Sequence, residues 1–434
     1  MNKIPALPGL SRRHFLQNSS LLAAGALLAG RQSWVNAAEE PGKKLVVGVM
    51  GLGRGLDHVR ALLTLPNVEV AYLCDVDEKR RASALKFLNG KLPKAPQAVG
   101  DFRRILEDRA VDVLFIATPN FWHASATILA CAAGKHVYVE KPGSGSAWEG
   151  EQMVAAARKH KRVVQQGMQR RSWPGIAEAV EKLRSGVIGK LTFARSWYNN
   201  TRQTIGKGQP APVPAGLDYT LWQGPLPERP YVDNLVHYNW HWRWYCGNGE
   251  LGNNGIHALD LARWGLGVDY PKRVTYNGGR YHFEDDQQTP DTGVATYDFG
   301  GQGISWEHSS CQPRKADGTF PFVVWYGTKG TLALEGDGFK VYDLNGKLVD
   351  SKVGGTGGDA VHVGNFLNSI RQGTRPSAEI EEGQKSTLLC HLGNIAYRTG
   401  RTVNFDPATR QIVNDPEATK LWRREFRPGW ELPV

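Results

Sequence analysis

The sequence has few cysteines and no hydrophobic run long enough to anchor the protein permanently in a membrane. Cysteine accounts for 5 of 434 residues, an odd number without a C-x-x-C pair. A disulfide framework and a cysteine-based zinc site are therefore not expected, and we predict no bound metal. The one weakly apolar stretch of note lies near the N-terminus and is too short to span a bilayer. An integral membrane protein is not expected.

The sequence also has no block of like charge. It carries 53 Lys and Arg against 42 Asp and Glu, a formal charge of +11, and the basic residues are spread along the chain. Nucleic-acid-binding proteins gather such charge on one face or stripe, so we expect no nucleic-acid partner. The remaining composition is that of an ordinary globular protein, and the length indicates two or three domains.

The first 37 residues have the organisation of an export signal. Arg12 and Arg13 precede the weakly apolar stretch 21–30, and Val35 and Ala37 lie at the −3 and −1 positions for cleavage after Ala37. A charged region, a short apolar region and a cleavage site of small residues make a secretory signal. The paired arginines make it a twin-arginine signal. We predict export by the twin-arginine machinery, to the periplasm or otherwise out of the cytoplasm.

The region 44–166 has the pattern of a dinucleotide-binding domain. The apolar run 45–50 predicts a buried strand, which leads into the loop 51–54 and a helix. A second strand, 68–74, ends in Asp75, 22 residues after Gly53. Glycines let the backbone approach a pyrophosphate, and an acid at this distance binds the ribose of NAD, with NADP less favoured. The third glycine of the motif is expected at position 56, but Gly55 comes one residue early.

Strands and helices continue to alternate after Asp75. We predict strands over 111–117, 136–139 and 163–166, and helices over 122–133 and 146–159, the second opened by a capping box of Ser146 and Glu149. Repeated βαβ units form a doubly wound parallel sheet, and its ligands bind at the carboxyl ends of the strands. The predicted cofactor contacts are Gly51, Leu52, Gly53, Arg54, Asp75, Thr118, Pro119, Asn120, His123, Glu140, Lys141 and Gln169.

These motifs resemble those of the Gfo/Idh/MocA oxidoreductases, the family of glucose–fructose oxidoreductase and the inositol dehydrogenases, and in particular an exported subgroup. The resemblance covers about 44–434 and is carried by GVMGLGRG (48–55), CDVD (74–77), ATPNFWH (117–123), VEKP (139–142), GMQRR (167–171) and GNNGIHALDLARW (252–264). It implies an α/β Rossmann domain over 44–166 and an α+β domain over 167–434 with a large open antiparallel sheet. It also implies a nicotinamide cofactor, a sugar, polyol or glycoside substrate, and a homo-oligomer formed through that sheet.

Three residues are candidates for the catalytic chemistry. Lys141 follows a strand end, where an amine can share the proton of an alcohol oxygen. The resemblance implies a D-x-x-x-H pair facing the substrate, and here Asn253 takes the Asp position and His257 the His position. Asn253 can orient only by hydrogen bonds, which leaves Lys141 and His257 for proton transfer. The alternatives are a surface lysine and a buried structural histidine.

The stretch 237–244, HYNWHWRW, is unusually aromatic. Tryptophan faces suit sugar rings, so we favour a carbohydrate contact over plain packing between domains. His237 and His241 have the spacing of a metal-binding pair, but no matching third ligand is evident. The predicted substrate contacts are Arg170, Tyr198, His237, Trp240, Trp242 and Arg243.

Two enzymatic functions remain open from the sequence. One is NAD(P)-dependent oxidation of a secondary alcohol with a tightly bound cofactor. The other is redox-neutral glycoside hydrolysis by oxidation, elimination, hydration and reduction. Predicted export favours a cofactor that is regenerated in the site, because the periplasm holds no large free NAD pool. A non-catalytic binding protein is a third possibility, which Lys141 and His257 disfavour.

Overall fold

The structure, a computed structural model, describes residues 42–312, 323–355 and 357–432. The predicted export signal, 1–37, lies outside these residues. No helix within the described ranges is long and apolar enough to cross a membrane. All five cysteines are free thiols, and four of them are buried.

The N-terminal part is a parallel sheet with helices on its faces. Its strands are β1 (Leu45–Met50), β2 (Val68–Cys74), β3 (Gln97–Val99), β4 (Val113–Ile116), β5 (His136–Val139) and β6 (Val164–Gln166). Its helices are α1 (Gly55–Leu62), α2 (Glu78–Leu88), α3 (Arg103–Glu107), α4 (Asn120–Ala132) and α5 (Ala147–Lys159). The strand order over the described residues is β3-β2-β1-β4-β5-β6, which is the order of dinucleotide-binding Rossmann folds. The predicted strands 45–50 and 68–74 are confirmed.

Gly55 explains why the glycine motif is shifted by one residue. α1 begins at Gly55, and a Cβ atom there would lie 2.9 Å from Cγ1 of Val49 and 3.6 Å from Cβ of Ala117. The missing side chain therefore lets the helix lie close to β1. This is the packing role expected of the third glycine in the motif.

The predicted capping box before α5 is not formed as expected. The side chain of Ser146 makes no hydrogen bond to a backbone N–H of the first turn, and its hydroxyl donates instead to a carboxylate oxygen of Glu149 at 3.0 Å. Glu149 is fully buried, and its other carboxylate oxygen accepts from Nε of Arg424 at 2.9 Å. The carboxylate thus bridges Ser146 and the C-terminal segment instead of capping the backbone.

The C-terminal part is a second, larger sheet covered by helices. Its elements are α6 (Pro174–Arg184), β7 (Leu191–Asn199), α7 (Tyr219–Gln223), α8 (Ile256–Leu266), β8 (Arg273–Gly279), β9 (Thr292–Asp298), β10 (Gly303–Ser309), β11 (Val323–Gly327), β12 (Gly330–Glu335), β13 (Gly338–Asp343), β14 (Leu348–Lys352), α9 (Asp359–Gln372), α10 (Ile380–Thr399), β15 (Val403–Asp406), β16 (Gln411–Ile412) and α11 (Pro416–Lys420). Ten described strands form the sheet, in the order β14-β13-β12-β11-β7-β10-β9-β8-β15-β16.

The strands β9 and β10 pair antiparallel and form a hairpin around Gly300 and Gly301. The pairing of β7 with β10 is parallel, so the sheet is mixed and not wholly antiparallel. Trp306 and Trp325 on its strands are fully buried in the core beneath the helices. With the parallel sheet, this architecture confirms the expected fold class of a Rossmann-like domain joined to an α+β domain.

Residues 200–250 cover the carboxyl end of β2, and we call them the covering segment. The backbone N–H of Glu78 donates to the carbonyl of Gly216 at 2.9 Å, and that of Asp218 donates to Val76 at 3.1 Å. The segment ends at a π-helical turn, Leu251–Gly255, which leads directly into α8. The covering segment therefore packs against the end of β2 and leads along the chain into α8.

Candidate active site

A cavity lies at the carboxyl ends of the parallel strands, under the covering segment. Most of the predicted cofactor contacts line it, namely Gly51, Gly53, Arg54, Asp75, Thr118, Pro119, Asn120, Glu140, Lys141 and Gln169. Asn253 lines it from the C-terminal part. The position agrees with the rule that open α/β sheets bind ligands outside the carboxyl ends of their strands.

The glycine loop keeps its part of the cavity free of side chains. Gly51 has φ +87°, and a Cβ atom on it would lie 2.5 Å from the carbonyl oxygen of Ala117. A Cβ atom on Gly53 would lie 2.9 Å from Nη1 of Arg80, another residue that lines the cavity. The loop therefore offers bare backbone to a ligand at the end of β1, as a pyrophosphate requires.

Two backbone N–H groups fix the carboxylate of Asp75. One carboxylate oxygen accepts the N–H of Leu52 at 2.8 Å, and the other accepts the N–H of Asp77 at 3.0 Å. An ionised carboxylate has about four acceptor positions, so Asp75 retains positions for ribose hydroxyls. Leu52, predicted as a cofactor contact, acts here by holding Asp75.

Two buried polar atoms of the cavity residues have no partner within the described part of the chain. They are Oγ1 of Thr118 and Oε1 of Gln169. Buried polar atoms are normally hydrogen-bonded, so two such atoms without partners in one cavity indicate that a bound ligand supplies their hydrogen bonds. Together with the bare glycine loop and Asp75, these residues fit a dinucleotide.

Glu140 and Arg54 form an ionic network beneath the cavity. Oε1 of Glu140 lies 3.1 Å from Nε of Arg54 and 2.9 Å from Nε2 of His58. Burial opposes ionisation of Glu140, but His58, Arg54 and Lys141 outweigh it and hold its pKa well below the ordinary value. Its Oε2 accepts the backbone N–H of Lys141 at 3.0 Å, so this carboxylate fixes the backbone that carries the lysine.

His123 braces two loops and does not line the cavity. Its Nδ1 lies 2.7 Å from the carbonyl oxygen of Pro142, and its Nε2 lies 2.9 Å from that of Thr118. The side chain is 1% exposed. The structure therefore corrects the expectation of a direct cofactor contact, because both ring nitrogens are directed at the backbone of the loops after β4 and β5.

Lys141 and Asn253 are in direct contact. Nζ of Lys141 donates to the backbone carbonyl of Asn253 at 2.9 Å and to its side-chain Oδ1 at 3.2 Å. Burial lowers the pKa of Lys141, and the nearby charge of Glu140 opposes that shift only in part. The amine is thus held at the cavity wall in a setting where it loses its proton more readily than an exposed lysine does.

Asn253 and His257, the two positions of the D-x-x-x-H pair, are not carried by one continuous α-helix. Asn253 belongs to the π-helical turn, and the α-helix begins at Ile256. His257 does not line the cavity, and neither of its ring nitrogens has a hydrogen-bond partner among the described residues. Burial and the charges of Lys141 and Arg170 hold the pKa of His257 well below the ordinary value, so the ring is neutral.

His237 lines the cavity at the end of β2. Its Nε2 lies 2.9 Å from Oδ2 of Asp77, two residues after the predicted ribose ligand Asp75. Trp240 lines the same cavity and donates from its indole nitrogen to the carbonyl of His237 at 2.9 Å. His237 and Trp240 both line the cavity, so a substrate contact at either residue stays a prediction, although Nε2 of His237 is already paired with the carboxylate of Asp77.

Four other predicted substrate contacts, Arg170, Tyr198, Trp242 and Arg243, do not line the cavity within the described residues. The indole of Trp242 lies 4.7 Å from the guanidinium of Arg202, and Tyr198 accepts from Asn200 at 2.6 Å. Arg243 binds Asp286 at 2.9 Å, and the Arg170 guanidinium lies 5.2 Å from the Trp173 ring. Aromatic and ionic contacts within the protein therefore occupy these side chains.

The cavity also contains residues that were not predicted as site residues. His241 and Tyr238 come from the covering segment, and Arg80 comes from the first turn of α2. Arg80 could have been suggested by its position five residues after Asp75, in the helix that follows the ribose-binding strand. The sequence indicates His241 only as part of the aromatic stretch 237–244 and by its metal-pair spacing from His237.

The close approach of Gly51 to Ala117 in the glycine loop can be tested by substitution. Gly51→Ala is expected to lose about 1–3 kcal/mol more unfolding free energy than Gly134→Ala, and to weaken NAD binding. Both residues have positive φ, so both variants carry backbone strain, but nothing lies within 4 Å of a Cβ atom on Gly134. Urea unfolding and calorimetric NAD titration measure the two effects. Equal losses in the two variants would show that the contact with Ala117 is unimportant.

Two family profiles match the chain. Residues 43–168 match a profile described as oxidoreductase family, NAD-binding Rossmann fold, and residues 153–432 match one described as oxidoreductase family, C-terminal alpha/beta domain. Between them the two profiles reach from the start of the parallel sheet to the end of the described chain.

Curated relatives and solved structures are similar to the chain. A glycosyl hydrolase family 109 protein of Shewanella pealeana is 33% identical over 31% of this chain and 34% of the relative. An inositol 2-dehydrogenase of Salmonella paratyphi B is 33% identical over 36% of this chain and 46% of the relative. The chain thus spans only about a third to a half of these relatives. The structure of an aldose–aldose oxidoreductase from Caulobacter crescentus with glycerol superposes with a TM-score of 0.66 at 19% identity, covering 84% of this chain and 100% of that one.

Proposed function

The chain belongs to the Gfo/Idh/MocA oxidoreductases, and from that membership we propose that it oxidises a secondary alcohol of a sugar, polyol or glycoside with NAD. The observation that carries the proposal is the contact between Lys141 and Asn253 in the cavity that also holds Asp75 and the glycine loop. A proton acceptor and a dinucleotide cradle share one cavity there. The family assignment confirms the NAD-binding Rossmann domain expected from the sequence.

Each group of cavity residues has a distinct part in this proposal. Gly51 and Gly53 would hold the pyrophosphate, and Asp75 would hold the adenosine ribose. NAD, when bound, supplies the hydride acceptor. Lys141 takes the proton of the substrate hydroxyl, and the lowered pKa of its amine favours the neutral form that can do so. Asn253 orients that amine through its backbone and side-chain oxygens.

The choice between NAD and NADP rests on Asp75. We expect NAD, and not NADP, to be released from the purified protein, because a carboxylate repels a 2′-phosphate. Asp75→Ser combined with Val76→Arg should raise the affinity for NADP relative to NAD by about 10–10²-fold, the size of one charge-assisted hydrogen bond. Val76→Arg alone is the control. Chromatography of the extracted nucleotide checks the first part, and recovery of mainly NADP from the wild type would refute the role given to Asp75.

Redox-neutral glycoside hydrolysis is a second candidate. It is supported by the named glycosyl hydrolase relative and by the covering segment, whose hydrogen bonds to Val76 and Glu78 enclose the end of β2. An enclosed cofactor favours reduction and reoxidation in place. Incubation with a panel of aldoses, inositol and methyl and aryl glycosides without added NAD separates the two, by mass spectrometry of the products. A ketone supports net oxidation, and free sugar with aglycone supports hydrolysis.

Export through the twin-arginine machinery and assembly through the large sheet both remain proposals. Arg12→Lys with Arg13→Lys keeps the charge and removes the paired arginines, so we expect full-length precursor to accumulate in the cytoplasm. Cell fractionation and N-terminal sequencing measure this, and the wild-type protein should begin near Ala38. Normal export of the double variant would refute the twin-arginine assignment.

A further inference from the structure

His241 is a histidine of the covering segment that the chemistry assigned to Lys141 does not use. It lines the cavity together with Lys141 and Asn253. Its Nδ1 lies 2.6 Å from the backbone carbonyl oxygen of Tyr238. A carbonyl oxygen can only accept, so Nδ1 carries the hydrogen. The other nitrogen, Nε2, therefore holds a lone pair.

The ring of His241 is fixed in the plane that this hydrogen bond requires. It stacks on the indole of Trp240, with 3.6 Å between ring centroids and 22° between the planes. Trp240 is itself buried and is held through its indole N–H by the carbonyl of His237. The lone pair of Nε2 thus has one direction, set by two contacts of the surrounding segment.

Nε2 of His241 has no hydrogen-bond partner in the part of the chain that the structure describes. Burial lowers the pKa of the ring to about 3, the hydrogen bond to Tyr238 opposes this, and the positive charges of Lys141 and Arg202 add to the lowering. The ring is therefore neutral at ordinary pH. Nε2 acts as an acceptor and not as a donor.

We infer that His241 is a specificity residue that accepts a hydrogen bond from a substrate hydroxyl other than the one that Lys141 deprotonates. This deepens the proposed function and rests on it. A hydroxyl presents the hydrogen that Nε2 needs, whereas a carboxylate or phosphate would place its own lone pairs against that nitrogen. The substrate beside His241 is thus a neutral polyhydroxylated ring. A sugar carrying an anionic group at that position is excluded.

A cycle of substrate and protein changes tests the inference. The probes are the methyl glucosides and methyl galactosides, each with its series of monodeoxy and monofluoro analogues. His241→Phe keeps an aromatic ring that can stack on Trp240 and removes both ring nitrogens, including Nε2. His282→Phe changes an exposed histidine and is the matched control. Reduction of the bound NAD in single turnovers gives kcat/KM, and the retained nucleotide and the melting temperature show whether each variant is folded.

For the wild type and for His282→Phe, we expect removal of one particular hydroxyl to lower kcat/KM by at least about 10²-fold, since a site built for a hydroxyl rejects analogues without it. The fluoro analogue should be rejected equally, because fluorine cannot donate. For His241→Phe, kcat/KM for the parent sugar should fall to about the value that the wild type shows with the deoxy analogue. The deoxy and fluoro analogues should have no lower kcat/KM than the parent sugar in this variant. His241→Gln, which retains an acceptor, should recover part of the discrimination.

Three results would overturn the inference while the proposed function stands. The first is an undiminished deoxy penalty in His241→Phe. The second is acceptance of the fluoro analogue by the wild type. The third is loss of bound NAD from a folded His241→Phe, which would assign Nε2 to the cofactor. If no sugar of either series reduces the bound NAD in the wild type, the proposed function itself fails on these substrates, and the inference fails with it.

Discussion

Lys141→Ala is expected to lower the rate at which an active sugar reduces bound NAD by about 10²–10⁴-fold, or about 3–5 kcal/mol in activation free energy. Removal of hydride from carbon requires removal of the proton from oxygen at the same place. Lys141 carries a half-buried amine at the cavity wall, and desolvation of that amine lowers its pKa. Absorbance of the reduced nicotinamide in single turnovers measures the loss.

NAD should remain bound to Lys141→Ala, because the glycine loop and Asp75 lie at the ends of other strands, β1 and β2. Lys141→Arg should recover little of the rate, since a guanidinium stays protonated and cannot accept the proton. Lys135→Ala is a useful control, because Lys135 is a buried lysine that donates to the backbone carbonyls of Asp108 and Val111. A near-wild-type rate in Lys141→Ala would remove Lys141 from the chemistry.

The sequence could predict the cofactor half of the cavity because that half follows from local rules. Buried parallel strands are continuous apolar runs, and the residues that follow them meet at one edge of the sheet. Asp75 and Lys141 were found in this way, directly after β2 and β5. The glycine motif was found with its shift of one residue, although only the packing of Gly55 against Val49 gives the reason.

The sequence could not place the substrate half, because its residues come from a segment without regular periodicity. His237 and His241 are four residues apart, which suggested one face of a helix. The helical turn is a short 3₁₀ turn that begins only at Asn239, so the two histidines do not share one face of a helix. Both line the cavity, but Nε2 of His237 is paired with Asp77 at the end of β2, whereas Nε2 of His241 has no partner among the described residues.

The π-helical turn before α8 is a second feature that local propensity did not indicate. Gly252 and Gly255 allow it, since a Cβ atom on Gly252 would lie 2.4 Å from Cβ of Asn248, and one on Gly255 would lie 3.0 Å from Leu251. The turn presents both the carbonyl and the side chain of Asn253 to Lys141. The four-residue spacing of Asn253 and His257 is that of neighbours on one α-helix, but Asn253 contacts the amine of Lys141 instead.

This contact makes Asn253→Asp the second variant with a large expected effect. Oδ1 of Asn253 lies 3.2 Å from Nζ of Lys141, so an ionised carboxylate at that position stabilises the ammonium form. An opposite charge at this distance shifts a pKa by about 1–3 units, here upward. Oxidation needs the neutral amine, so the acid limb of the rate profile should move to higher pH by that amount. At a fixed pH below the limb, the oxidation rate should fall by about 10–10³-fold.

Asn253→Asp should affect the reverse reaction in the opposite direction, which distinguishes a shift in the pKa of Lys141 from general damage to the site. Reduction of a ketone requires a protonated lysine as proton donor, so Asn253→Asp should keep that activity up to a higher pH than the wild type. Asn345→Asp adds the same charge at an exposed turn and should shift neither profile. Stopped-flow rates in both directions between pH 6 and about 10 measure the limbs. If a folded, NAD-retaining Asn253→Asp shows the wild-type limb in both directions, Lys141 is not the group whose ionisation controls the rate.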